Sequence, residues 1–157
     1  MIPIIAGVGS ILVRTKRGLT VSTAVSLTNP IRSYRDLRVW QQSMELVEST
    51  YRVTKSFPDT ERYGLVNQLR RAAVSVASNI AEGHARSTGD YLRHLLISSG
   101  SLAEIETQFT VSNRLGFLAD SDAESLLQAC DQLGRMLGGL RKSLRSRRRS
   151  EPRTPSP

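Results

Sequence analysis

"RRAAVSVASNIAEGHARS", residues 70–87, carries two stripes on one helix. At about 100° per residue, Ala72, Ala73, Val76 and Ile80 fall on one side, and Leu65 and Leu69 extend that side backward. Gln68, Arg71, Ser75, Ser78 and Glu82 lie on another side, in steps of three and four, with Asn79 beside them. Serine and asparagine are poor helix formers, so exposure to water alone does not favour them here. Two stripes predict two neighbours: the helix's own bundle on the apolar side and a second surface on the polar side. The expected second surface is another copy of the chain, met by Gln68, Arg71, Ser75, Ser78, Asn79 and Glu82.

The same period extends outward in both directions. Before it, Leu37, Trp40, Met44, Val47, Tyr51 and Thr54 predict a first helix, which Phe57-Pro58 stops because proline lacks an amide hydrogen. Asp59 or Thr60 can cap the second helix. After it, Ser87 and Thr88 are N-cap residues for a third helix with the seam Tyr91, Leu95, Ser98, Leu102, Ile105, Phe109 and Ser112, and Gly116 is a left-handed stop. Ser121 with Glu124 reads as a capping box for a fourth, whose seam is Ala123, Leu126, Cys130, Leu133, Leu137, Leu140 and Leu144. The loops are short, which forces antiparallel neighbours. The predicted fold is all-α: an antiparallel up-down-up-down four-helix bundle with a gentle left-handed winding, over residues 34–146.

The 157-residue chain is long enough for one core, and its net charge of +8 is unevenly spread. Residues 1–33 carry +4, residues 34–134 carry −3 and residues 135–157 carry +7. The basicity therefore belongs to the ends and not to a folded groove. Leu19–Leu27 alternates like a strand but shows no second strand to pair with, so residues 1–33 are expected to be disordered. The opening MIPIIAGVGSILV is too short to span a bilayer, and its basic residues follow it where a secretory signal would place them before. One cysteine excludes an intramolecular disulfide framework and points to the cytoplasm.

Tyr34-Arg35-Asp36-Leu37 with Trp40, Phe57-Pro58, Gly64-Leu65, Gln68-Leu69-Arg70-Arg71-Ala72-Ala73, Asn79-Ile80-Ala81-Glu82-Gly83, and Gly100-Ser101-Leu102 with Glu104 resemble the four-helix bundle proteins of the 23S ribosomal RNA intervening-sequence family. The accessory variability determinant of diversity-generating retroelements is similar. The resemblance implies a homopentamer with an axial channel and, for the retroelement relatives, binding of nucleic acid and of a reverse transcriptase. Those relatives are basic over the whole bundle, whereas this bundle is mildly acidic.

No catalytic apparatus is legible. His84 and His94 have no His or Cys partner at ligand spacing, the Glu-x-x-His pattern of bundle di-metal sites is absent, and neither a phosphate loop nor a nucleophile elbow occurs. The expectation is a non-enzyme without metal or cofactor. Arg141, Lys142, Arg145, Arg147, Arg148 and Arg149 are the candidate nucleic-acid contacts, with residues 147–157 as a disordered basic, Pro/Ser-rich tail. Aromatic residues are too few there for base readout, so RNA or DNA would be held without specificity. The competing reading is a protein–protein assembly module whose tail only aids solubility.

Overall fold

The computed structural model describes residues 10–15, 18–23 and 31–150. It divides into two units, Met1–Ile31 and Arg32–Pro157, each described here by itself. In the first, β1 (Ser10–Thr15) pairs antiparallel with β2 (Gly18–Thr23), Ser10 opposite Thr23 and Leu12 opposite Val21. The strand pattern beginning at Leu19 thus has the partner that the sequence reading denied it. The end of the opening apolar run supplies that partner: Ile11, Leu12 and Val13 are as suited to a strand as to a membrane. Residues 24–30 lie outside the described residues.

The second unit is all-helical. A 3-10 turn (Tyr34–Asp36) opens it, held by a reciprocal cap in which Ser33 Oγ accepts from Arg35 N–H and Asp36 Oδ2 accepts from Ser33 N–H. Four helices follow: α1 (Arg38–Val53), α2 (Leu65–His84), α3 (Thr88–Arg114) and α4 (Asp120–Ser150). Each packs on the next, and α4 returns to α1, which closes a ring around one core. Ser87 caps α3 by accepting from Asp90 N–H, and α3 ends at Gly116, whose φ of 74° needs no Cβ. Phe57 and Phe117 meet at 5.9 Å between centroids and close that end of the bundle.

The predicted seams of α2, α3 and α4 are the buried ones, from Leu69 to Ile80, from Tyr91 to Ser112 and from Ala123 to Leu137, with Leu65, Leu140 and Leu144 partly covered. The α1 seam differs. Val39, Ser43, Leu46, Thr50 and Thr54 are buried, while Trp40 and Val47 flank the core and Tyr51 is exposed. Ser43 Oγ donates to Trp40 O at 2.6 Å and Thr50 Oγ1 to Leu46 O at 2.7 Å, so these hydroxyls enter the core already satisfied. Two details at α4 also differ from expectation. The helix starts at Asp120, leaving Ser121 inside its first turn, and it runs to Ser150 where a disordered tail was expected from residue 147. Asn113, which donates to Leu118 O and Asp120 Oδ1, fixes the entry earlier than the Ser121 pattern suggests.

Candidate functional site

Two polar regions are candidates for function: the hydrophilic side of α2 and the C-terminal third of α4. The first sits on the most closely packed helix pair. Ala72, Ala73, Val76 and Ala77 keep α2 thin, and Ser98 from α3 donates to Val76 O at 3.1 Å from a fully buried position. At the top of the pair a Cβ on Gly83 would lie 2.5 Å from Tyr91 Cδ2 and 2.8 Å from His94 Cβ. Only glycine lets the two helices approach that closely.

The short spacing brings the polar stripe of α2 onto α3. Glu82 Oε1 stands 3.9 Å from His94 Nε2, Ser75 Oγ 2.8 Å from Ser101 Oγ, and Gln108 Nε2 donates to Gln68 Oε1 at 3.3 Å. These rungs recur every seven residues on both helices, running away from the turn. Asn79 braces the ladder: its amide donates to Ser75 O at 2.9 Å, and its Oδ1 accepts from His94 Nδ1 at 3.0 Å, which places that ring proton on Nδ1. Four of the six residues expected at a subunit contact, Gln68, Ser75, Asn79 and Glu82, therefore have partners within the chain. Arg71 and Ser78 remain exposed, with the exposed Val74 between them. Gln108 is absent from the sequence reading, which weighed His94 only as a metal ligand and Ser101 only as part of the family motif, although the heptad spacing of the three mirrors Gln68, Ser75 and Glu82.

The second region is amphipathic. Leu137, Leu140 and Leu144 cover the bundle, and Arg141, half-buried beside them, lines one strip with the exposed Lys142, Arg145 and Arg149, and with Gly138 and Ser146. Arg148 turns toward the start of α3, its Nη1 4.0 Å from the Cβ position of Gly89, and the helical period puts Arg147 on the opposite side of α4 from the strip. So four of the six predicted cations are brought together and two are not. Among the described residues none of them forms an ion pair.

Two buried titratable groups offer no chemistry. Burial pushes the Cys130 thiol up to about 12, with Glu106 adding to it, and burial alone raises Tyr91 to about 12. Both stay protonated near neutrality, and a thiol so held is not a nucleophile. Among the described residues no group of three His, Cys, Asp or Glu side chains could hold a metal ion, and no helix is long and apolar enough to cross a membrane.

The motif from Asn79 to Gly83 thus has a structural account: Asn79 bonds His94, Glu82 accepts from Arg86 at 3.2 Å, Ile80 is core, and Gly83 permits the close approach. The sequence profile of the 23S rRNA-intervening sequence protein family matches residues 35–139, the part that holds this motif and most of the bundle. The chain belongs to that family. A protein of unknown function from the S23 ribosomal protein family of Bacteroides thetaiotaomicron has a similar fold, with a TM-score of 0.62 and 20% identity over 66% of this chain and 95% of that one. Among curated proteins, none matches the chain.

Proposed function

We propose that the protein is a non-catalytic, self-associating bundle of the cytoplasm that holds RNA or DNA without base specificity, through the basic strip of α4. The observation that carries this reading is the arrangement of Arg141, Arg145 and Arg149 along one side of a continuous helix, without acidic partners among the described residues. Steps of four residues separate them by about 6 Å each along the axis, close to two steps of one strand of a duplex at ~3.4 Å each. Like charges at that spacing repel one another within a helix, and bound phosphates would relieve the repulsion.

The test is the triple variant Arg141→Gln, Arg145→Gln, Arg149→Gln, with binding to a labelled duplex followed across a salt series. Loss of three phosphate contacts lowers the log-log slope by roughly 2 to 3. An unchanged slope would reject the reading.

Self-association is assigned to the part of the α2 stripe that has no intrachain partner: Arg71 and Ser78, with Val74 between them. An apolar cleft beside it, lined by Trp40, Met44, Val47, Ala77 and Ala81, supports a contact there. Arg71→Glu with Ser78→Arg should lower the molar mass by light scattering while helicity persists. If the mass is the same, the contact lies elsewhere.

A further inference from the structure

Between the end of α1 and the first half of α2 lies an open groove of about 620 Å³ lined by Tyr51, Arg62, Tyr63, Asn67, Arg70 and Arg71, among others. None of its three arginines forms an ion pair among the described residues. No carboxylate lines it. Glu61, next to Arg62 in the sequence, accepts from Leu65 N–H at 3.1 Å and so is occupied with the start of α2. Arg70 is fixed in place: its Nε donates to Thr54 Oγ1 at 2.9 Å, and its guanidinium lies over the Tyr51 ring at 4.7 Å. Tyr63 contrasts with it. It is 85% exposed on the short link ahead of α2, so its ring is open to a ligand.

We propose that this groove is a second binding site, specific for an unpaired nucleic-acid strand, in which a base stacks on Tyr63 while Arg62 contacts the flanking phosphate. A free aromatic face among guanidiniums matches the two surfaces an unpaired nucleotide offers, a flat base and an anionic backbone. A duplex hides its bases and gains nothing from Tyr63. An acidic peptide would use the arginines and leave the ring idle. The inference takes its ligand class from the nucleic-acid reading above but does not depend on the α4 strip, which lacks aromatic residues and treats all strands alike.

The test uses the full chain and a short fluorescein-labelled oligouridylate followed by anisotropy. Tyr63→Ala should weaken binding about tenfold while Tyr63→Phe retains it, since stacking and not the hydroxyl is at work. Arg62→Ala should lower the salt slope by ~0.7, the value for one phosphate of a single strand. Duplex affinity should stay the same in all three. An abasic oligomer should bind the wild-type chain as weakly as the intact oligomer binds Tyr63→Ala. Equal oligouridylate affinity of Tyr63→Ala and wild type overturns the proposal. So does a lower molar mass of Tyr63→Ala, which would assign the groove to a contact between copies, or tighter binding of polyglutamate than of oligouridylate. Loss of the Tyr63 effect with the α4 slope intact removes this site alone. Loss of the α4 slope with the Tyr63 effect intact removes the strip alone.

Discussion

The polar stripe of α2 and the basic strip of α4 are both heptad patterns on helices whose opposite sides are apolar, yet they relate to the rest of the chain in opposite ways. On α2 Ser75, Asn79 and Gln68 find hydrogen-bond partners on α3, while Glu82 pairs with Arg86 just past the end of its own helix. On α4 the side chains are long and cationic, and among the described residues they have no acidic partner. The period is shared, so the length and charge of the side chains decide the outcome. Serine, asparagine and glutamine let backbones approach and satisfy one another at close range, whereas arginine carries its charge away from the helix axis toward water or a ligand.

The largest effect is expected at Gly83, where the α2–α3 pair is tightest. Gly83→Ala forces a methyl group into Tyr91 and the His94 Cβ, and it should lower stability by about 1–3 kcal/mol in urea unfolding. That loss appears even though alanine favours a helix by about 1 kcal/mol over glycine. A more stable Gly83→Ala protein would mean that the helices stand further apart, and the account of the ladder would go with it. Next comes Asn79→Leu, which leaves His94 Nδ1 without its acceptor in a half-covered position and should cost roughly 1–2 kcal/mol. A double-mutant cycle with His94→Ala should give a coupling of about 0.5 kcal/mol or more. No coupling would reduce the ladder to neighbours that happen to lie close.

Much of this arrangement was legible in the sequence. The seams of α2, α3 and α4, the Ser87 cap and the Gly116 stop follow from period and local chemistry, and the structure has them where period and chemistry place them. The α1 seam was not, because Ser43 and Thr50 look polar on paper and become core-compatible only by returning their hydroxyls to their own helix. The ladder was half legible: the α2 stripe stood out, but on α3 His94 reads as an isolated histidine and Ser101 as a small residue of the family motif, and nothing in the sequence joins them to Gln108. Pairing is a property of two helices in register, and a pattern on one of them cannot say whether its complement is in the same chain or in another copy. The hairpin was missed for a related reason: the alternation of β2 stood out by itself, but β1 lies in an apolar run that carries no such period.

The core between these two regions should respond to alkali. Cys130 moves from an ordinary 9.0 to about 12 on folding, and Tyr91 from 10.0 to about 12. Raised acids hold their protons in the folded state, so their contribution is complete below pH 9 and is lost progressively as the pH climbs toward 12. Stability measured across that window should fall, and the fall should begin nearer pH 10 in Cys130→Ala. The thiol should also resist an aromatic disulfide reagent until the chain unfolds. Rapid labelling of the native protein would contradict the burial of Cys130.

The smallest effect on stability separates the two regions most cleanly. Replacing Arg141, Arg145 and Arg149 by glutamine removes three charges, two exposed and one half-buried, that contact no acid among the described residues, while Leu137, Leu140 and Leu144 keep α4 on the bundle. Surface changes of this kind stay within about ±0.5 kcal/mol, and relief of like-charge repulsion offsets the weaker fit to the helix dipole. Unfolding should therefore be nearly that of the wild type, at the same urea midpoint, in the same protein that loses its duplex binding. If the triple variant instead unfolds as readily as Asn79→Leu, the strip is part of the fold's own cohesion. The arginines would then have partners inside the molecule, and the contrast between a satisfied stripe and an unsatisfied one would disappear.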